Sequence, residues 1–78
     1  MFGISQSTLE RLRQAYPVGC RVRLTHMNDP YNTRLFPGEL GTVLHVDDMG
    51  TIHVKWDCGS SLGVVYGEDA CCKEEDGI

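Results

Sequence analysis

With 78 residues, 41% of them hydrophobic and 23% charged, the chain has the composition of one small folded domain and not of a disordered segment. A chain of this length buries only ~60% of its unfolded surface, so a separate substrate domain or deep cofactor cleft is excluded, and no stretch approaches the ~20 apolar residues that span a bilayer. The net charge of −4 conceals a polarity, +3 from Met1 to Arg34 and −7 from Leu35 to Ile78, which predicts either two electrostatic faces or a mixed solvated surface.

The opening Met1-Phe2-Gly3-Ile4-Ser5-Gln6-Ser7 has neither a basic lead nor an apolar run, so a cytoplasmic setting without an export signal is expected. In that setting Cys20, Cys58, Cys71 and Cys72 are expected as free thiols. Ser7-Thr8-Leu9-Glu10 fits a capping box, in which the serine hydroxyl and the glutamate satisfy the first free amides of a helix. Leu9, Leu12 and Tyr16 share one stripe, and Pro17 pushes its predecessor out of the helical region, which predicts a helix over about 8–15. Cys20 to Thr25 alternates as a strand, with Cys20, Val22 and Leu24 inward. His26 to Phe36 holds Asn28, Asp29, Pro30 and Asn32, all turn formers, and reads as a long loop closed by Pro37-Gly38.

Two alternating runs then flank Asp47-Asp48-Met49-Gly50. A three-residue loop over 48–50, with Gly50 in the left-handed position of a bulge, opposes Asp47 to Thr51, Val46 to Ile52, Leu44 to Val54 and Thr42 to Trp56. A two-residue loop scrambles the faces, so the odd loop is expected. The same reasoning across Cys58-Gly59-Ser60 pairs Trp56 with Leu62 and Val54 with Val64. The predicted core is Val22, Leu24, Leu44, Val46, Ile52, Val54, Leu62 and Val64 around Trp56, with Val43 and Val65 on the outer face. Tyr66-Gly67-Glu68-Asp69 reads as a tight helical turn, Ala70-Cys71-Cys72-Lys73 as a short closing strand with its two thiols on opposite faces, and 74–78 as an acidic tail. The expected architecture is all-β, one domain over 1–78: a small SH3-like barrel of about five antiparallel strands over about 20–73, with one short N-terminal α-helix.

Several motifs lie in this frame: Pro17 to Val22, Met27-Asn28-Asp29-Pro30-Tyr31, Pro37-Gly38-Glu39-Leu40-Gly41-Thr42-Val43, Val54 to Leu62, and Tyr66-Gly67-Glu68-Asp69. In these the chain resembles a family of small bacterial domains of unknown function, found largely in Gram-positive bacteria and on their phages and conjugative elements. The resemblance covers roughly residues 9 to 73. It implies an SH3-like fold, similar in plan to barrels that bind chromatin, ribosomal or ubiquitin-pathway partners, and brings no catalytic residues with it. Cys58, where the family's turn usually carries asparagine, and the pair Cys71-Cys72 depart from its pattern.

No enzyme and no cofactor are expected. The chain has no glycine-rich phosphate loop with its lysine, no His-Glu-x-x-His and no nucleophile elbow. The favoured reading is a non-enzymatic protein-binding module that uses the long loop and the acidic turn: Met27, Tyr31, Arg34, Leu35, Phe36, Glu68 and Asp69. One of Leu35 and Phe36 is expected to plug the barrel end instead. Kinship with mobile elements sharpens this to a phage or mobile-element inhibitor, anti-defence and anti-CRISPR-like. Its acidic portion would compete with nucleic acid for the basic groove of a host nuclease or other nucleic-acid-handling protein. Two alternatives stand beside it. One is direct nucleic-acid binding through Arg21, Arg23 and Arg34, which the net charge opposes. The other is metal binding through the cross-strand pair His45 and His53, which falls short of the three or four ligands of a zinc site.

Overall fold

The computed structural model describes residues 4–29 and 35–74. Its first element is the helix α1, Gln6–Ala15, which begins earlier than the sequence predicts because Ser5, not Ser7, is the cap. Ser5 is extended, its Oγ accepts the Thr8 amide at 3.2 Å, and it donates to the Thr8 hydroxyl at 2.8 Å. The second contact ties down the capping oxygen, which favours this serine over its neighbour two residues on. Leu9 is buried, Leu12 and Tyr16 pack beside it, and the helix stops before Pro17 as expected.

Five strands follow: β1 Arg21–His26, β2 Leu40–Val46, β3 Thr51–Trp56, β4 Val64–Val65 and β5 Ala70–Lys73. They form one antiparallel sheet in the order β4-β3-β2-β1-β5. The all-β expectation with a leading helix is met, but no hydrogen-bonded ladder joins β4 to β5. The sheet curls without closing into a barrel, and a seam is left between its two edge strands.

Both bends flanking β3 are three-residue loops with glycine last. Asp47 N–H donates to Thr51 O and Gly50 N–H to Asp47 O; Trp56 N–H donates to Ser60 O and Gly59 N–H to Trp56 O. Gly50 and Gly59 sit at φ +85° and +100°, a conformation that side-chain-bearing residues resist. The second loop is therefore 57–59, not 58–60. Consequently Ile52, not Val54, faces Val64, and Thr51 faces Val65. The slip is two residues, so each side chain stays on its predicted face.

Between β2 and β3 the predicted pairing holds at the tip, with Val46 opposite Ile52 and His45 opposite His53, and then breaks. Leu44 is a bulge, Val43 faces Val54, and Gly41 faces Trp56. Leu44 is 47% exposed and Val43 only 1%, which reverses their predicted roles. The cause is Trp56. A Cβ at position 41 would lie 2.5 Å from Val54 Cγ1 and 2.7 Å from Trp56 Cε3, so the indole needs a bare backbone opposite it. An unbroken register would have put Thr42 there.

The core comprises Leu9, Val22, Leu24, Leu35, Val43, Val46, Ile52, Val54, Trp56 and Val64, with Leu62 only partly buried against it. Trp56 donates its indole N–H to Leu62 O at 2.8 Å. Leu35 is fully buried and Phe36 exposed, so Leu35 is the plug.

The bulge makes neighbouring residues separable. Val43→Ala is expected to destabilise by about 2 kcal/mol, the range for losing buried methyls, whereas Leu44→Ser should change stability by under about 1 kcal/mol. Urea denaturation of both variants measures the difference. Equal losses, or a larger loss for Leu44→Ser, would contradict the bulged register.

Candidate functional site

On the outer face of the β2–β3 hairpin, Asp47 accepts three hydrogen bonds. Oδ1 takes the Met49 and Thr51 amides at 2.9 and 3.0 Å, and Oδ2 lies 2.8 Å from His53 Nε2. The His53 contact, reinforced by the Thr51 amide, holds the Asp47 carboxyl below the usual aspartate range. His45 stacks on His53 with centroids 4.3 Å apart and planes 14° from parallel. A metal bound by an imidazole lies in the ring plane, and near-parallel stacked rings offer no shared point in both planes. Asp47 also occupies His53 Nε2. Among the described residues no three His, Cys, Asp or Glu side chains converge as metal ligands.

Two members of the predicted arginine patch, Arg21 and Arg23, are engaged by carboxylates, and Arg34 lies outside the described residues. Arg21 forms a two-pronged pair with Asp57 at 3.0 and 2.6 Å and also donates to the Thr42 hydroxyl. Arg23 grips Glu74 at 2.9 and 3.0 Å. These contacts lower the Asp57 carboxyl and raise the Arg23 guanidinium relative to their ordinary values. Arg13 joins Asp48 at 2.7 Å and reaches Val46 O. At these three pairs the basic N-terminal portion and the acidic C-terminal portion interleave.

In the predicted protein-binding set, the segment after Met27 is held against the Glu68–Asp69 turn through Asn28. Leu35 is interior, Met27 is packed against the core, and Phe36 is exposed; Tyr31 and Arg34 lie outside the described residues. Asp69 is a structural clamp, its Oδ1 accepting the Asn28 amide at 2.7 Å and its Oδ2 the Val65 amide at 3.0 Å. Glu68, exposed in the same turn, remains at the surface.

What the fold does build is a cleft at the seam. It is lined on the helix side by Leu12 of α1 and its C-cap Tyr16, on the side of β5 and the turn before it by Tyr66, Asp69, Ala70 and Cys71, and by Gly50, Ile52 and Val64, around a volume of about 230 Å³. The lining is chiefly apolar, and Tyr66 at its rim is 54% exposed. Tyr16 donates its hydroxyl to Cys71 O at 3.2 Å. Burial raises the Tyr16 phenol and the Cys20 thiol and pushes Cys71 up to about 11. A thiol held protonated in this way is no nucleophile at neutral pH. The sequence holds the two sides of this cleft only separately, as an apolar stripe on a helix and as an aromatic opening the turn before the last strand.

The profile of a domain of unknown function, DUF4314, matches residues 5–74. The chain belongs to this family. The match takes in α1, all five strands and therefore both walls of the cleft. Comparison with curated proteins and with solved structures gave no match. Among the described residues no helix is long and apolar enough to cross a membrane.

Asp47 gives a pH test. Its folded-state pKa lies below the unfolded value of ~3.9, so its contribution is full above that value and is lost as pH falls through the folded pKa. The thermal midpoint of the native chain should exceed that of Asp47→Asn at neutral pH, and the gap should close on acidification below about pH 4. A gap unchanged down to about pH 2 would refute the assignment.

Proposed function

We propose that the domain is a non-enzymatic protein-recognition module and that the seam cleft, not the long loop, is its docking site. The carrying observation is the apolar cleft itself, lined by the exposed Tyr66, with the exposed Met49 next in the chain to the lining residue Gly50. Its volume of about 230 Å³ is below the ~300 Å³ of ordinary small-molecule sites and suits one anchoring side chain of a partner. Aromatic and methionine side chains beside a small apolar pocket are the composition of interface centres.

The direct nucleic-acid reading loses support from the carboxylates that already hold Arg21 and Arg23. The metal reading loses support from the stacked imidazoles. The finer reading, an inhibitor from a phage or mobile element acting on a host nucleic-acid-handling protein, rests on the family resemblance and on the acid excess from Leu35 onward. That excess favours a basic partner surface.

Selection of random dodecapeptides by display on the folded domain tests the docking site. Binders should shift amide resonances at Leu12, Tyr16, Tyr66 and Cys71, and Leu12→Arg should abolish binding while the fold survives. Binders that map instead to Phe36 or to the His45–His53 face, or a selection that returns none, would refute it.

A further inference from the structure

The hydrogen-bond alternation of the edge strands is unequal. In β5, Glu74 N–H donates to Arg21 O, and Arg23 pairs with Cys72 in the same register. Antiparallel strands alternate, so Ala70, Cys72 and Glu74 turn their backbone groups to β1, while Cys71 and Lys73 turn theirs to the seam. Cys71 O confirms the direction, because Tyr16 reaches it from α1. In β4 the corresponding groups are already satisfied inside the chain. Val65 N–H donates to Asp69 Oδ2, and Val65 O accepts from Glu68 and Asp69. One edge is sealed by a carboxylate clamp. Among the described residues, the other is covered at a single carbonyl by a side-chain hydroxyl at 3.2 Å.

Resting on the docking reading above, we propose that the partner binds by adding a strand to the free edge of β5, between that strand and α1. Its backbone would pair with Cys71 and Lys73, and one apolar side chain would drop into the cleft. Such addition takes its affinity from main-chain hydrogen bonds and its selectivity from the pocket for alternate side chains. The partner's chemistry follows from charge. Glu68, in the turn before β5, is exposed, whereas Asp69 is engaged by backbone amides and Glu74 by Arg23. The segment that fits is extended, with an apolar centre and a lysine or arginine at the end beside Glu68. A helical ligand presents no free backbone groups to this edge.

The test uses the display-selected dodecapeptides as probes. Lys73→Pro removes the N–H that faces the seam while leaving the β1 ladder intact, a substitution that edge strands tolerate. It should weaken peptide binding by tenfold or more with the circular dichroism spectrum unchanged. Tyr16→Phe frees Cys71 O from its internal donor and should tighten binding about threefold to tenfold. N-methylation along the peptide, which does not depend on any variant folding, should abolish binding at alternate positions and spare those between. The selected peptides should be enriched in lysine and arginine at the end that meets Glu68. Cleft-bound peptides that ignore Lys73→Pro and show no alternation would overturn strand addition and leave the docking reading standing. The absence of any cleft-bound peptide would overturn both.

Discussion

The contact between Trp56 and Gly41 governs the rest of the molecule. A buried indole needs a floor without side chains and a partner for its N–H, since an unpaired buried donor costs about 1–3 kcal/mol. Gly41 supplies the floor and Leu62 O the acceptor. Each has a consequence along the chain. Setting Gly41 opposite Trp56 puts the β2–β3 ladder out of step with its tip, and the bulge at Leu44 absorbs the difference. Val43 is thereby turned into the core, while His45 and His53 remain face to face at the hairpin end. The Leu62 carbonyl would carry the β3–β4 ladder on from Ser60. Directed to the indole instead, it leaves the segment before Val64 unpaired, and β4 is reduced to Val64 and Val65.

A two-residue edge strand is too short to close a barrel onto β5. Its outward groups are satisfied by the turn that follows it, through Asp69, which also fastens Asn28. The seam is therefore a product of core packing, and α1 lies beside it through Leu12 and Tyr16 without sealing it. Exposed edges invite pairing with other chains, and a natural protein either blocks them or uses them. Here one edge is blocked. The other faces an apolar cleft.

Charge is distributed to a different effect than the linear sequence suggests. Arg13, Arg21 and Arg23 each meet an acid from the C-terminal portion, Asp48, Asp57 and Glu74. Exposed pairs of this kind contribute only ~0–1 kcal/mol each, so their importance is less for stability than for neutralising the outer face. They engage Arg13, Arg21 and Arg23 with carboxylates, while Glu68, in the turn before β5, stays exposed near the cleft.

The sequence by itself determined the elements and their facing: a capped helix broken by Pro17, alternating strands, odd loops at Gly50 and Gly59, and Trp56 inside. Local propensity and a period of two are enough for these, because each depends on residues within a few positions of one another. It also placed His45 opposite His53, since that pairing lies close to the loop that sets it. Only the tertiary structure decided which serine caps α1, that Leu44 leaves the ladder, that Leu35 fills the interior, and that the sheet stops short of closure. Those outcomes turn on volume and on the direction of single hydrogen bonds between distant segments, the indole on Gly41 and Leu62 above all. The cleft was illegible for the same reason: its walls come from α1 and from the β4–β5 turn, at opposite ends of the chain, and no spacing within either announces the other.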